Sequence, residues 1–507
     1  METREGSGRS VSCPHLARLA VGPVAGVAGC VAALLVALSG RYGYHRDELY
    51  DLAAGRHLAW GYPDQPPLVA LLARLLSLVA PGSVVVLRLP SALAVAAVVV
   101  LAALLTRELG GRRAAQTLAA ASMAVAPLLL GAGHLLSTTT YDLLAWALLL
   151  WLVVRVLRTG DQRLLVVCGG VAGIGLLNKD LVAFLIAALV VGIAVAGPRR
   201  ILASRWLWTG GAVTAVVWAP YLVWQARHGW PQWQVGRAVS AGSSGSSEPR
   251  ALFLPVQLGL ISLFLAPIWI GGLVRLFRDP ALRWCRALGW AYALLAVVFL
   301  ALGGKPYYLG GFFPVLLAAG AQPTVEWVRR RPRLRRTMLG AALVVSATSS
   351  AVVTLPVVPL GTLHRTPIVS VNYDTGETIA WPTYVREIAG VFRQLPARQQ
   401  ASAALVTRNY GEAGAIDRYG PALGLPAAFS GHNGYWYWGP PPATADTIVA
   451  IGFARDVLER SFADVRLGTR LDNHLRIAND EQGAPVWVCS QPRGSWPALW
   501  PRFRSLG

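Results

Sequence analysis

Lysine is nearly missing from this chain of 507 residues. Of 46 Lys and Arg residues only Lys179 and Lys305 are lysine, so 44 are arginine. Charge of any kind is sparse at 14%, where soluble domains carry about 25%, and this excludes an ordinary soluble enzyme. Cysteine is scarce as well. Cys13, Cys30, Cys168, Cys285 and Cys489 are scattered without CxxC or metal-ligand spacing, which excludes a disulfide scaffold and a zinc module. HExxH, P-loop and Rossmann glycine patterns in a strand–helix context are missing too, so zinc-peptidase, P-loop and dinucleotide chemistry have no motif to rest on.

What is present is apolar. Hydrophobic residues make up 54% and the mean hydropathy is +0.48. Several runs approach the ~20 residues needed to cross the hydrocarbon core. Hydropathy predicts eleven spans, roughly at 19–39, 84–106, 114–133, 139–157, 164–177, 181–197, 206–226, 254–274, 287–303, 306–322 and 337–358. The apolar stretch after Arg18 is too long for a cleavable signal and reads as a retained first span. Net charge is +21, which would suit nucleic acid, but the surplus sits in short connections between spans. The six alternate segments near 1–18, 107–113, 155–163, 198–205, 275–286 and 326–336 hold 22 arginines, whereas the turns near 134–138, 178–180 and 303–306 hold only the two lysines. The positive-inside rule then predicts a multi-pass protein of the plasma membrane with a cytoplasmic N-terminus (1–18) and an extracytoplasmic C-terminus. It leaves no nucleic-acid partner to expect.

Residues 19–358 are therefore expected to form a transmembrane body whose first outer loop is 40–83. The run LVALLARLLSLVA (68–80) is short and interrupted by Arg74, and is expected to lie at the interface or re-enter. A second outer connection, 227–253, contains the flexible AGSSGSSEPR. Residues 359–507 are predicted to be a small extracytoplasmic α/β domain. Its strand-like runs AALVTRN, DTIVAIGF and APVWVCS alternate with the helix-like WPTYVREIAGVFRQL and ARDVLERSF.

The conspicuous chemistry lies at the outer ends of spans. Asp47 and Glu48 are adjacent acids in HRDELYDL, just after the first span. A carboxylate beside a membrane cleft can act as a general base, or the pair can simply face water on an interfacial helix. Lys179 and Lys305 fall on the same side. Cations there can hold a phosphate and neutralise a leaving group, or Lys179 can pair with Asp180 while Lys305 snorkels to the headgroups. Asp142, near the start of the fourth span, is a functional candidate by default and equally a favourable partner of the helix dipole. His134 nearby is a weaker candidate. GHNGYWYWGPPP (431–442) suits either sugar stacking or a packed loop.

Taken in order, RDELY (46–50), WGY (60–62), DQPPL (64–68), TTYDLLAWALLLWLVVR (139–155), GIGLLNKDLVAFLI (173–186) and KPYYLGGFFPVLLAAGA (305–321) resemble glycosyltransferase family 39. That family belongs to the GT-C superfamily of membrane glycosyltransferases and includes protein O-mannosyltransferases and lipid A aminoarabinose transferases. The resemblance covers about the first 325 residues. It implies inverting transfer of a mannose- or arabinose-like sugar from a polyprenyl-phosphate donor to an acceptor lipid, protein or wall glycan at the outer membrane face, with membrane lipids as surroundings. It makes Asp47 the general base with Glu48 in support, and puts Lys305 and Lys179 on the donor phosphate. Tyr307 and Tyr308 then shape the donor pocket, and Asp142 orients acceptor or base. Gln65 takes a substrate-binding place where aminoarabinose transferases have lysine, so phosphate contacts or substrate differ there. No cofactor is expected, and a divalent metal is not called for. Two other classes remain open: a transporter or lipid flippase, and a non-catalytic membrane scaffold.

Overall fold

The computed structural model describes residues 16–242 and 249–507. Cys13, most of the N-terminal segment expected to be cytoplasmic, and the centre of AGSSGSSEPR lie outside the described residues. From the N-terminus come helices α1 (Val21–Leu38), α2 (Arg46–Arg56), α3 (Leu68–Val79), α4 (Val84–Glu108), α5 (Arg113–Ala124), α6 (Pro127–Gly133), α7 (Thr138–Thr159), α8 (Leu164–Leu176), α9 (Leu181–Ala196) and α10 (Arg205–Arg227). They continue as α11 (Pro231–Ser240), α12 (Phe253–Ile261), α13 (Ala266–Arg278), α14 (Ala287–Leu302), α15 (Phe313–Arg330) and α16 (Pro332–Thr354). Five of these, α1, α4, α7, α10 and α16, are long and apolar enough to cross a membrane alone.

Two further expected spans are broken. Residues 113–133 bend by 59° and residues 250–278 by 83°. The first break falls just before Pro127, whose ring cannot donate a helical N–H and disfavours helix in the residue before it. The second falls at Ser262, which adopts a φ of +88° and whose Oγ lies 2.6 Å from Ser346 Oγ on α16. Helices α8, α9 and α14 are apolar but span 13 to 16 residues, so they fall short of a full crossing at 1.5 Å per residue. Each of the eleven expected spans thus coincides with a helix or a helix pair, but length alone supports five to seven. The run at 68–79 is a helix, packed on α2 through Gly55, where a Cβ would come within 2.9 Å of Ala70 O. Tight crossings hold the body together. A Cβ at Gly272 of α13 would fall 1.9 Å from Leu316 O of α15, so only glycine lets these two backbones meet.

The tail begins with three one-turn helices, α17 (Leu360–Leu363), α18 (Ile368–Val371) and α19 (Tyr373–Gly376), followed by α20 (Trp381–Arg393) and α21 (Ala397–Ser402). Strands β1 (Ala403–Thr407), β2 (Ala428–Ser430), β3 (Thr447–Ile451), β4 (Phe462–Arg470) and β5 (Pro485–Pro492) then form one sheet of order β2-β1-β3-β5-β4, with α22 (Tyr410–Tyr419) crossing from β1 to β2. β1 is parallel to β2 and β3, while β5 runs antiparallel to β3 and β4. The three strands read from sequence are β1, β3 and β5. ARDVLERSF departs from the helical expectation: only Arg455–Glu459 is helix, and Phe462 already starts β4. That edge strand was hidden because only Phe462 and Val465 of its nine residues are buried, so it carries little apolar alternation.

The tail is not a free-standing appendage. Leu49, Tyr50 and Ala53 of α2 share one buried cluster with Trp381, Tyr384, Leu405, Ala413 and Ile416. A Cβ at Gly414 would meet the Leu49 backbone at 2.8 Å, so α2 and α22 cross in contact. This crossing brings tail residues to the first turn of α2, which carries Asp47. The cysteines described, Cys30, Cys168, Cys285 and Cys489, are all unpaired.

Candidate active site

The local sequence explains how α2 begins. His45 is its N-cap: its Nδ1 accepts from Asp47 N at 3.2 Å, and Glu48 Oε2 reaches back to accept from His45 N at 2.8 Å, closing a capping box. Both acids lie in the first turn, where the helix dipole favours them. About 100° of helical rotation separates them, and they meet opposite fates. Glu48 is fully buried and forms a fork with Arg88 of α4, itself fully buried: Arg88 Nε donates to Oε1 at 2.8 Å and Nη2 to Oε2 at 2.7 Å. With Leu136 N at 2.9 Å on Oε1, Glu48 accepts four hydrogen bonds. Arg88 donates its remaining N–H groups to Ser39 O and Gly43 O, both at 2.7 Å, and its Nη1 lies 3.3 Å from His134 Nε2. This cluster pins the end of α1, the start of α2 and the end of α6 to one point.

Asp47 instead keeps 48% of its side-chain surface and faces a cavity of about 720 Å³. Tyr410, the first residue of α22, donates its hydroxyl to Asp47 Oδ1 at 2.8 Å. Arg46 Nε stands 3.6 Å from the same oxygen and is itself held by Tyr373 Oη at 2.7 Å and Asp480 Oδ2 at 3.0 Å. His45 lies 3.7 Å from Asp374. Burial depresses the His45 imidazole, but Asp47 and Asp374 outweigh it and hold its pKa above the usual value. For Asp374 burial pushes up, and His45, Arg46 and Lys305 together hold it below the usual carboxylate range.

The facing wall is the segment Lys305–Phe312, where Pro306 opens a 3-10 turn. Lys305 and Tyr307 line the cavity. The Tyr307 ring lies 5.9 Å from Lys305 Nζ and 5.0 Å from Lys179 Nζ, so its face accommodates both cations. Lys179 also sits 5.8 Å from the Tyr308 ring and donates to Thr139 Oγ1 at 3.1 Å. Burial, then the like charge of Lys179, lowers Lys305 to about 8. Burial also lowers Lys179, with Asp142 acting against it. Asp142 is buried in the first part of α7, one turn beyond Thr139, with an Oδ1 that has no hydrogen-bond partner among the described residues. The remaining walls are mixed: apolar from Leu128 of α6, Val256 and Leu260 of α12, and Val353 and Leu355 around the end of α16, and polar from Ser137, Thr139, Asn372, Thr375 and Thr378.

The structure therefore gathers Asp47, Lys305 and Tyr307 on the cavity, with Lys179, Tyr308 and Asp142 behind Tyr307. His134 lines the cavity and touches Arg88. Glu48 lies under α2 and Gln65 elsewhere. Gln65 Nε2 donates to Asp51 Oδ1 at 2.7 Å, in a buried patch where Tyr50 and Asn433 bind Asp64 at 2.8 and 3.2 Å. That patch ties DQPPL to the GHNGYWYW stretch, whose Tyr435 is buried and whose Trp438 stacks on His57 with ring centres 4.4 Å apart. Sequence reasoning missed Arg46, Arg88, Asp374 and Tyr410. For Arg88 a signal existed: an arginine inside VVVLRLP needs a partner. Nothing local marks Tyr410 or Asp374, because both arrive through the packing of the tail.

Comparison with known proteins shows what the fold resembles. A family model described as dolichyl-phosphate-mannose-protein mannosyltransferase matches residues 64–224. The crystal structure of ArnT from Cupriavidus metallidurans bound to undecaprenyl phosphate superposes with a TM-score of 0.59 at 16% identity, covering 91% of this chain and 97% of that one. The fold is that of the GT-C glycosyltransferases. Apo ArnT from the same organism gives 0.58 at 15% identity, over 92% and 97%. The Archaeoglobus fulgidus oligosaccharyltransferase AglB, in complex with an inhibitory peptide and a dolichol-phosphate, gives 0.49 at 11% identity, over 86% and 70%. No curated protein matches by sequence. The GT-C resemblance read from the sequence thus stands, and the chain is a multi-pass helical membrane protein. The family match contains Gln65, Asp142 and Lys179 and leaves Asp47, Glu48 and Lys305 outside it.

Proposed function

We propose that the chain transfers a sugar from a polyprenyl-phosphate donor to an acceptor hydroxyl, inverting the anomeric centre, in the cavity between Asp47 and Lys305. The observation that carries this reading is one half-exposed carboxylate, Asp47, sharing a partly apolar cavity with Lys305, which Lys179 backs from behind Tyr307. Asp47 Oδ1 is held by Tyr410, and Oδ2 takes the acceptor proton as the acceptor oxygen bonds to the anomeric carbon. The bond from that carbon to the phosphate oxygen breaks, and the polyprenyl phosphate leaves with the electron pair. Lys305, backed by Lys179 and Arg46, balances its charge, while Tyr307 and Tyr308 shape its seat. A phosphate is already a capable leaving group, so positioning and charge stabilisation matter more than a strong acid. Glu48, with four hydrogen bonds accepted, acts by fixing α2. Gln65 acts at a distance, through Asp51. No step is routed through a metal.

The same reading takes the helical body as eleven spans in the plasma membrane, with the N-terminus cytoplasmic and the cavity and tail outside. This would put the site where lipid-linked sugars meet lipid, protein or wall acceptors. The two broken spans give a lipid flippase or transporter a specific foothold, since such proteins use discontinuous helices. One assay separates the readings: purified protein is given radiolabelled polyprenyl-phosphate mannose or arabinose with membrane acceptors, wild type beside Asp47→Asn. Transfer by wild type, reduced ~10²–10⁴-fold in the variant with folding retained, is expected. Undiminished transfer by the variant removes Asp47 as base, and transfer from no polyprenyl-phosphate sugar favours the flippase.

A further inference from the structure

Helix α2 has a second pocket on the side turned away from Asp47. It has a volume of about 210 Å³ and lies between α2, α3, the start of α4 and α22. At ~30 Å³ per water this is room for a phosphate and its ester linkages. Three arginines line it, Arg56, Arg74 and Arg418, and no carboxylate does. Asp417 lies 3.2 Å from Arg56 and pairs with it. Arg418 lies 5.7 Å from the centre of the Tyr44 ring, and its buried Nε has no hydrogen-bond partner among the described residues. Arg74 is exposed, and no salt bridge involves it among the described residues. Two guanidinium charges, one with an unspent buried donor, therefore converge on a concave space.

The surface beside this pocket says what kind of anion fits. Leu71, Leu75 and Leu78 form an exposed stripe along α3, and Val85, Leu89 and Leu93 an exposed stripe along the first turns of α4. The pocket wall at Ala80–Ser83 lies between the two stripes. α4 is one of the helices able to cross the membrane, so the second stripe runs from the pocket into the acyl region. Arginines at headgroup level above an apolar track are the chemistry of an anionic lipid.

We infer that this pocket binds the phosphate headgroup of an anionic phospholipid on Arg74 and Arg418, with its chains along Leu89 and Leu93. The lipid joins α2 and α22 from the side opposite to the catalytic cavity and steadies the crossing that delivers Tyr410 to Asp47. The inference stands whether or not the sugar-transfer reading holds, because its test reads binding. Full-length protein in neutral detergent is titrated with phosphatidylglycerol, phosphatidylcholine or inorganic phosphate, and bound lipid and unfolding temperature are followed.

The expected result is one phosphatidylglycerol retained with a rise in unfolding temperature, and binding about fivefold weaker on Arg74→Gln and again on Arg418→Gln. Arg237→Gln, on the exposed face of α11, leaves it unchanged. Arg74 is exposed, so its variant keeps the test alive if Arg418→Gln folds poorly. Equal binding by both arginine variants, equal weakening by Arg237→Gln, or no preference over phosphatidylcholine overturns the inference. Inorganic phosphate giving the same stabilisation without lipid overturns the lipid assignment and makes the pocket a free-phosphate site.

Discussion

The two sides of helix α2 carry neighbouring acids with the same chemistry and opposite employment. On the core side Glu48 and Arg88 are both fully buried and satisfy each other and three loop backbones. On the cavity side Asp47 keeps nearly half of its surface, with one oxygen bound by Tyr410 and the other 3.8 Å from His45 Nδ1. Desolvation costs decide the difference. A buried carboxylate is tolerated only when paired and fully hydrogen-bonded, and such a group has no lone pair left for a substrate. A half-exposed one anchored at a single oxygen is oriented yet available.

The comparison is broken most severely by Arg88→Ala. The variant leaves Glu48 buried and unpaired, a loss of about 3–5 kcal/mol, and a large drop in unfolding temperature is expected. Arg88→Ala combined with Glu48→Leu should recover much of it, and a single variant as stable as wild type would show that the fork is not what holds α2. Tyr410→Phe leaves the fold in place but frees Asp47 Oδ1. Losing a hydrogen bond to a charged group, worth about 1.5 kcal/mol, should slow transfer about tenfold with little change in unfolding temperature.

Much of this was legible in the sequence. The helices under the apolar runs and the strands at 403–407, 447–451 and 485–492 follow from hydropathy and strand patterning, although length alone supports five to seven of the eleven expected spans. The split between Asp47 and Glu48 was not, since both sit in one helical turn. It is decided by Arg88, forty residues away, and by Tyr410, more than 360 residues away. The breaks at Pro127 and Ser262 were also hidden, because apolar composition continues through both and reports burial rather than direction. The placement of Gln65 was not legible either: its Nε2 donates to Asp51 in a patch away from the cavity that Asp47 lines.

A smaller effect sharpens the cavity side. Burial and Lys179 lower Lys305 to about 8, so the ammonium is charged below that pH and neutral above it. Donor KM is expected to rise as pH passes about 8, well before an ordinary lysine would titrate. In Lys305→Gln the KM should be high throughout and the step near pH 8 gone; a step that survives the substitution belongs to another group. The smallest expected effect is from chelation. With the phosphate facing Lys305, Lys179 and Arg46, transfer in excess EDTA should stay within about twofold of the untreated rate, and abolition would show that a metal shares that work.

The most direct test sets the two acids against each other in one experiment, with transfer from polyprenyl-phosphate sugar and unfolding temperature measured for Asp47→Asn and Glu48→Gln. Asp47→Asn is predicted to lose transfer by ~10²–10⁴-fold while unfolding as wild type does, and Glu48→Gln to lose stability first, with transfer falling only as far as the folded fraction falls. A stable Glu48→Gln protein without transfer, beside an active Asp47→Asn, would contradict the account and move the base to the other acid.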